Sequence, residues 1–588
     1  MDLQQFYMGT AFDAYDYFGA HLENGGVTFR TYAPNARKIS VVGAFNGWEE
    51  QPLEQIHQSG VWTAFAPAAQ AGQMYKYCIY GNNGRQEHCD PYGFGMELRP
   101  GACSIIRDLK GYRFHDKTWM KQRTRCFDQP LNIYEMHLGS WKKNGGDWYT
   151  YDELAAPLIA YLTEHHYNYV EFLPLSEHPF DGSWGYQNTG FFAPTARYGT
   201  AAQLMSLIDK LHQAGIGAIM DFVPVHFAID GYGLREYDGT ALYEYPHRDV
   251  GESEWGSLNF NHSRREVASF LQSAANYWLK EYHFDGLRMD AVSRLLYWQG
   301  DERRGENGTT VSFIKVMNQG LHERHPSAML IAEDSTAYPG VTTDISRDGL
   351  GFDYKWNLGW MHDTLDYLSC PARDRGAMRW KFMLPLQYAC QERYILPLSH
   401  DEVVHGKKTI VDKLGGSYEE KFAQARTLYL AMMAQPGKKL NFMGGELAML
   451  REWDEARELD WELLQYPAHD AFLRYMTELN RLYLETPALW ADDSGDGFRW
   501  VDCCSDPCVF GYTRKGGNTE TLVLLNFSAH EVPLAPQSVD FDRYELVLNT
   551  DWEAFGGSTN REAEGGRTER VAAFGGLLLT MDGAARIC

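Results

Sequence analysis

Short segments with alternating apolar and polar residues open the chain. GVTFRTYA, KISVVGAF, GVWTAFAP and MYKYCIYG follow one another between Gly, Pro and Asn turns, at the roughly ten-residue spacing of an all-β domain. The pattern predicts a small β-sandwich over residues 1–112. From Pro130 the texture changes, and apolar runs of strand length alternate with longer stretches of helical period, which predicts βα units around a parallel sheet. Between Arg265 and Tyr282, for example, Val267, Phe270, Leu271, Ala274, Tyr277 and Trp278 fall on a single helical face. The strand candidates are LNIYEMHL, YNYVEFLPL, IGAIMDFVP, GLRMDAV, AMLIAED, GFDYKWN, RYILPLSH and KKLNFMGG, each followed by helical sequence. Eight such units make a (β/α)8 TIM barrel, placed at residues 113–490. Short strands return in VFGYTRK, TLVLLNF, YELVLNT and GLLLTMD, predicting a second β-sandwich over residues 491–588. The stretch from Ala228 to Asn261 is too long for an ordinary βα loop and is expected to form a functional excursion over the barrel mouth.

With 588 residues the chain has room for this three-part organisation. It carries 78 Asp and Glu against 54 Lys and Arg, a net charge of -24 spread along its length. Such a surface repels phosphate backbones, which excludes nucleic acid as a partner. No run approaches the roughly 18 apolar residues of a membrane span, so no membrane partner is expected. The start MDLQQFYMGT, with an acid at Asp2 and no basic region leading into an apolar one, predicts no signal peptide. The ten cysteines form no C-x-x-C pair and no cluster of metal-ligand spacing, so they read as thiols. These features favour the reducing cytoplasm. Aromatic residues reach 14%. They either fill aromatic-rich cores or offer faces on which sugar rings stack.

In a barrel the chemistry belongs at the C-terminal strand ends, where the βα loops build a common mouth. DFVPVH, GLRMDAVS, LIAEDST and LPLSHDEVVHGKK place Asp221, Asp290, Glu333 and Asp401 just after apolar runs. A buried carboxylate costs several kcal/mol unless paired, so four of them at strand ends call for more than packing. Arg288 lies two residues before Asp290 and so on the same side of its strand. That cation holds Asp290 ionised, as a nucleophile must be. Glu333 has no basic neighbour in its own motif. Its expected partners are other carboxylates, which would raise its pKa as a general acid requires. Two such groups around one bond form the arrangement for glycosidic cleavage.

These four segments, in this order, resemble the α-amylase superfamily of retaining glycosidases and transglycosylases. Within it the chain is similar to the 1,4-α-glucan (glycogen) branching enzymes over nearly its whole length. TFRTYAPNARKISVVGAFNGW, LNIYEMHLGSW, EHPFDGSWGYQNTGFFAPTARYGT, GFDYKWNLGWMHDTL and REWDEARELDW carry the likeness, with HPFDGSWGYQ and SHDEVVHGKK the most specific. The resemblance implies Asp290 as nucleophile, Glu333 as acid/base and Asp401 as the group gripping hydroxyls of the distorted sugar. It further implies that Arg288, His226 and His400 bind around that sugar, that Asp221 holds the site together, and that Tyr186 stacks on the ring. An isolated histidine would read as a hydrogen-bonded core residue, but both stand beside motif carboxylates, which favours substrate contact. The implied reaction cleaves an α-1,4 bond and transfers the chain to a 6-hydroxyl, without cofactor or metal, in a chain expected to act as a monomer on α-1,4-glucan or glycogen.

A hydrolase on the same scaffold, debranching or trehalose-releasing, remains open at this point, as does a non-catalytic glucan-binding scaffold. The N-terminal sandwich resembles glycogen-binding modules, in which Trp48 and Trp62 either stack on glucan or fill the core. The chain departs from the family pattern in MGGELAML, where Leu447, Ala448 and Met449 are expected to make the acceptor side of the mouth more apolar. It departs again in SRLLYWQGDERRGENGT after Asp290, and no additional leading domain is expected before the sandwich.

Overall fold

The computed structural model describes residues 3–57, 59–491, 496–534, 539–564 and 569–582, so Asp2 and Cys588 lie outside the described residues. Eight parallel strands close a barrel. They are β1 (Asn132–Met136), β2 (Tyr169–Phe172), β3 (Gly217–Phe222), β4 (Gly286–Met289), β5 (Met329–Ala332), β6 (Tyr354–Trp356), β7 (Tyr394–Leu398) and β8 (Lys438–Phe442). Each lies inside one of the eight apolar runs of the sequence. Every residue of β3, β4 and β5 is buried, as expected where helices cover one face of a parallel sheet and packed side chains fill the other. Helix Arg265–Glu281 buries Val267, Phe270, Leu271, Ala274, Tyr277 and Trp278, and Trp278 Nε1 donates to the Phe191 carbonyl at 3.1 Å.

The chain divides into two compact units. The first comprises Met1–Thr124, His137–Leu158 and Glu171–Asp353. Its N-terminal part contains a four-stranded antiparallel sheet in the order Gly19–Glu23, Gly26–Tyr32, Val61–Ala66 and Glu54–Gln55. A second sheet is ordered Gln51–Pro52, Lys38–Gly43, Met74–Gly81 and Gly84–His88. Trp62 is buried, its indole N–H donating to the Ala33 carbonyl at 2.9 Å. Trp48 is 46% exposed. A short helix, Leu3–Met8, precedes the sheets and was not visible as a period in the sequence. It and the residues after it dock on helix Arg265–Glu281, where Ser269 Oγ donates to the Phe6 carbonyl at 3.0 Å and Asn276 Nδ2 to the Phe12 carbonyl at 2.7 Å.

The long excursion after β3 does two things, which corrects the expectation that the whole of it covers the barrel mouth. Its first half docks on the N-terminal sheets. Tyr237 and Thr31 share a hydroxyl hydrogen bond of 2.8 Å, the Asn35 backbone N–H donates to Asp238 Oδ2 at 3.0 Å, and Cys89 N–H donates to the Tyr232 carbonyl at 2.8 Å. Its second half returns to the end of β3, where His226 pairs with Asn259 and Phe227 with Leu258.

Beneath β4, on the side away from its C-terminal end, a buried polar pin ties three segments of this unit together. His212 Nδ1 lies 2.9 Å from Asp116 Oδ2, and its Nε2 lies 2.9 Å from Asp285 Oδ2, the residue before β4. Trp119 stacks on the His212 ring at 5.3 Å and donates from Nε1 to Asp285 at 2.8 Å. Burial alone would lower the His212 pKa, but Asp285 and Asp116 raise it to about 9.

The second unit comprises Arg125–Met136, Ile159–Val170 and Tyr354–Cys588. Its C-terminal part is a five-stranded antiparallel sheet ordered Arg499–Val501, Val509–Gly516, Thr519–Asn526, Gly576–Asp582 and Glu545–Asn549, with a two-stranded ribbon of Val532–Pro533 and Arg570–Val571. Helix Tyr418–Ala434 packs on this sheet, and Leu428, Leu430, Val523, Leu524 and Leu577 share one core. Buried cations finish the contact, with Arg514 Nη1 donating to the Ala434 carbonyl at 3.1 Å and Arg426 Nε to the Thr550 carbonyl at 2.6 Å. After β8, Leu447, Ala448 and Met449 are buried. Ala448 and Met449 line a pocket with Leu398, Phe442 and Trp453 at the ends of β7 and β8, and Leu450 beside them is exposed. Among the described residues no helix is long and apolar enough to cross a membrane.

Candidate active site

The ends of β3, β4 and β5 build one cluster around a single guanidinium. Arg288 occupies β4 with 1% of its side chain exposed, and Asp221 occupies β3 fully buried. Strand pairing fixes their neighbourhood, because Asp221 sits opposite Arg288 in the parallel register and Arg288 opposite Ile331 of β5. Arg288 Nη1 donates to Asp221 Oδ2 at 2.9 Å and to Asp290 Oδ1 at 2.8 Å. Its Nη2 lies 3.9 Å from Glu333 Oε2. Burial would lower the Arg288 pKa, but Asp221, Tyr186, Asp290 and Glu333 together hold it well above the ordinary value. The cation stays charged, and the carboxylates around it are compensated rather than left as bare buried ions.

Asp290 and Glu333 differ from Asp221 in access. Their side chains are 15% and 17% exposed, so each turns one edge outward while the other faces the cation. Backbone bonds anchor both, as Asp290 N–H donates to the Phe222 carbonyl and Glu333 N–H to the Met289 carbonyl, each at 3.0 Å. Between them Ala291 adopts φ 47°, ψ 44°, a left-handed conformation uncommon for a residue with a Cβ. That turn aims the Ala291 N–H at Glu333 Oε2, 2.6 Å away. Strain of this kind persists where the surrounding structure over-determines it, and such sites are disproportionately functional.

The cluster corrects the expectation that Glu333 meets only other carboxylates. A cation reaches it from the neighbouring strand, and a backbone N–H binds it directly. Neither contact could be read from the AED motif, because one depends on strand pairing and the other on a positive φ at an alanine.

Tyr186 comes from the loop after β2. Its hydroxyl donates to Asp221 Oδ2 at 2.5 Å, and the Arg288 guanidinium lies 5.8 Å from its ring centre. The ring is half-buried. His226 lies just beyond β3, 2% exposed, with its Nδ1 buried and without a hydrogen-bond partner. Burial, and secondarily the charge of Arg294, push its pKa down to about 3, so the imidazole is neutral at ordinary pH.

His400 and Asp401 follow β7 in the second unit. His400 is held from two directions by one carboxylate of β1, with its backbone N–H donating to Glu135 Oε2 at 3.0 Å and its Nδ1 lying 2.5 Å from Glu135 Oε1. This orients the ring so that Nε2 points to Asp401 Oδ1, 3.5 Å away. Asp401 is 51% exposed. Glu135 was not among the residues singled out from sequence, although an ionisable residue inside LNIYEMHL, fully buried in the fold, was the available signal.

The comparisons with known proteins agree with this architecture. Residues 17–93 match the family model for carbohydrate-binding module 48 (isoamylase N-terminal domain). The chain is 43% identical to the 1,4-alpha-glucan branching enzyme GlgB of Fusobacterium nucleatum over 569 residues, covering 95% of this chain and 93% of that one. It is 44% identical to the enzyme of the same name from Halothermothrix orenii, with 96% and 93% covered. Among solved structures it is similar in fold to a pullulanase from Anoxybacillus complexed with maltotetraose, at a TM-score of 0.75 and 18% identity, with 98% of this chain and 89% of that one covered. A putative alpha amylase from Salmonella typhimurium gives a TM-score of 0.74 at 18% identity, with 96% and 100% covered. At 43–44% identity over nearly the whole length, this chain belongs to the GlgB family of 1,4-alpha-glucan branching enzymes.

Proposed function

We propose that this chain branches α-glucan by a retaining double displacement, with Asp290 as nucleophile and Glu333 as acid and then base. The observation that carries this reading is the shared guanidinium: Arg288 touches Asp290 at 2.8 Å and Glu333 at 3.9 Å. Two partly exposed carboxyl groups within one guanidinium's reach can act on opposite sides of one glycosidic bond. Glu333 protonates the bridging oxygen of an α-1,4 linkage while Asp290 attacks the anomeric carbon, forming a covalent glucosyl-enzyme and releasing the reducing-end chain. Glu333 then removes the proton of a 6-hydroxyl on an acceptor chain, and that oxygen displaces Asp290 to leave an α-1,6 branch. Two inversions at one carbon retain its configuration.

The other residues serve this pair. Asp221 and Tyr186 hold Arg288, and Tyr186 stacks on the sugar ring. Asp401, the most open carboxylate of the set, takes hydroxyls of the ring distorted toward the transition state, His400 lies beside it as an oriented imidazole, and His226 is assigned to the same sugar as a neutral one. The acceptor hydroxyl competes with water through positioning, since an aligned intramolecular nucleophile reaches very high effective molarity. The free cysteines among the described residues support work in the reducing cytoplasm.

The test is incubation with amylose followed by isoamylase debranching and chain-length profiling. New short chains appearing only after isoamylase, with little net gain of reducing ends, are the expected result. A steady rise of reducing ends without isoamylase-sensitive branches would mark a hydrolase instead.

A further inference from the structure

Among the exposed aromatic rings of the described residues, Trp255 is 46% exposed and yet held at its ring by two side chains. It belongs to the returning half of the excursion after β3. The Arg294 guanidinium sits 4.2 Å from its ring centre, and the His226 ring lies 5.3 Å away at a tilt of 41°. Arg294 follows Asp290 by four residues on the short helix Val292–Leu296, and His226 follows Asp221 by five, so the ring is gripped from the ends of both β3 and β4. Its backbone is tied as well. Gln187 Nε2 donates to the Trp255 carbonyl at 2.9 Å, and the Trp255 N–H donates to Ser253 Oγ at 3.2 Å.

The support under the ring is itself braced. Arg294 is nearly buried, pairs with Glu254 at 2.5 Å and donates to Gln299 Oε1 at 2.9 Å. Gln299 in turn donates from Nε2 to the carbonyls of Asp249 and Glu252, both at 2.9 Å. An indole with a guanidinium against its ring and nearly half its surface open to solvent is a preorganised stacking platform. Beside it lies the neutral imidazole of His226, itself only 2% exposed.

We infer that Trp255 is a positioning residue for the glucan chain, stacking a glucose unit next to the one undergoing reaction and thereby setting the length of chain transferred. Pyranose rings present a face of C–H groups that packs on an indole. The inference rests on the glucan-transfer reading above, but it concerns binding rather than chemistry.

Three full-length variants test it. For Trp255→Ala, KM for amylose is expected to rise about tenfold with kcat within about twofold, and the debranched chain profile to shift. Trp255→Phe is expected to restore most of the loss, because a stacking face is what matters. An unchanged KM and profile in Trp255→Ala would overturn the inference, as would Trp255→Phe being as impaired as Trp255→Ala. Failure of the transfer reading is told apart by calorimetry with maltoheptaose. Asp290→Asn alone and Asp290→Asn combined with Trp255→Ala are compared, and about tenfold weaker binding by the double variant is expected whatever the products are. Equal affinities would overturn the platform even in an enzyme that branches.

Discussion

Arg288 Nη1 lies 2.8 Å from Asp290 Oδ1, and the two side chains leave the same strand end two residues apart. That contact, made from a guanidinium buried between β3 and β5, sets a cation against a carboxylate at the barrel mouth and fixes its direction. Because the same nitrogen also serves Asp221, the cation cannot be exchanged for a smaller one without breaking the arrangement.

Arg288→Lys is accordingly expected to lower kcat by at least about 100-fold, since one ammonium cannot replace the forked donors that reach Asp221, Asp290 and Glu333. Arg288→Met is expected to lose about 3–5 kcal/mol of stability as well, because it strands Asp221 as an uncompensated buried charge. Steady-state kinetics and chemical denaturation check the two effects. A Lys variant with near wild-type turnover would contradict the first.

Glu333→Gln is expected to lose most of the first step on natural glucan while keeping the fold. On an activated α-glycoside, whose leaving group needs no proton, azide is expected to restore turnover and give the α-glycosyl azide. Normal turnover on amylose, or no rescue together with loss on the activated donor, would speak against its acid/base role.

The buried pin at His212 makes stability depend on pH in a definite direction. Its folded-state pKa is raised to about 9 from the ordinary 6.5. The charged imidazole therefore stabilises the fold fully below about pH 6.5 and loses that contribution as pH rises through about 9. Tm of the wild-type chain is expected to fall over that window. His212→Gln should start lower at pH 6 and change less. Parallel Tm curves for the two proteins would show that the pin does not titrate as described.

The two tryptophans of the N-terminal module separate cleanly. Trp62→Ala is expected to cost about 3–5 kcal/mol, because it empties a buried site and orphans the Ala33 carbonyl. Trp48→Ala, at an exposed position, is expected to stay within about 0.5 kcal/mol. Urea denaturation of each variant is the measurement.

Much of the fold was legible in the chain because a barrel strand covered on both faces must be a continuous apolar run, and eight such runs occur. The placement of Asp290 and Glu333 at strand ends was legible because each follows directly on an apolar run. What escaped was set by tertiary juxtaposition. The Ala291 N–H reaches Glu333 through a positive φ that no residue type announces. Glu135 serves His400 across two strands far apart in sequence. Helix Leu3–Met8 is too short to show a period, and the burial of Leu447 and Met449 depends on the turn after β8.

The chemical centre is tested most directly by trapping. Glu333→Gln, which slows turnover of the intermediate, is incubated with an activated α-maltosyl donor, quenched in acid and digested for peptide mass mapping. A glycosyl adduct on the peptide bearing Asp290 is expected. An adduct on another carboxylate, or none while the wild-type chain still forms branches, would contradict the assignment.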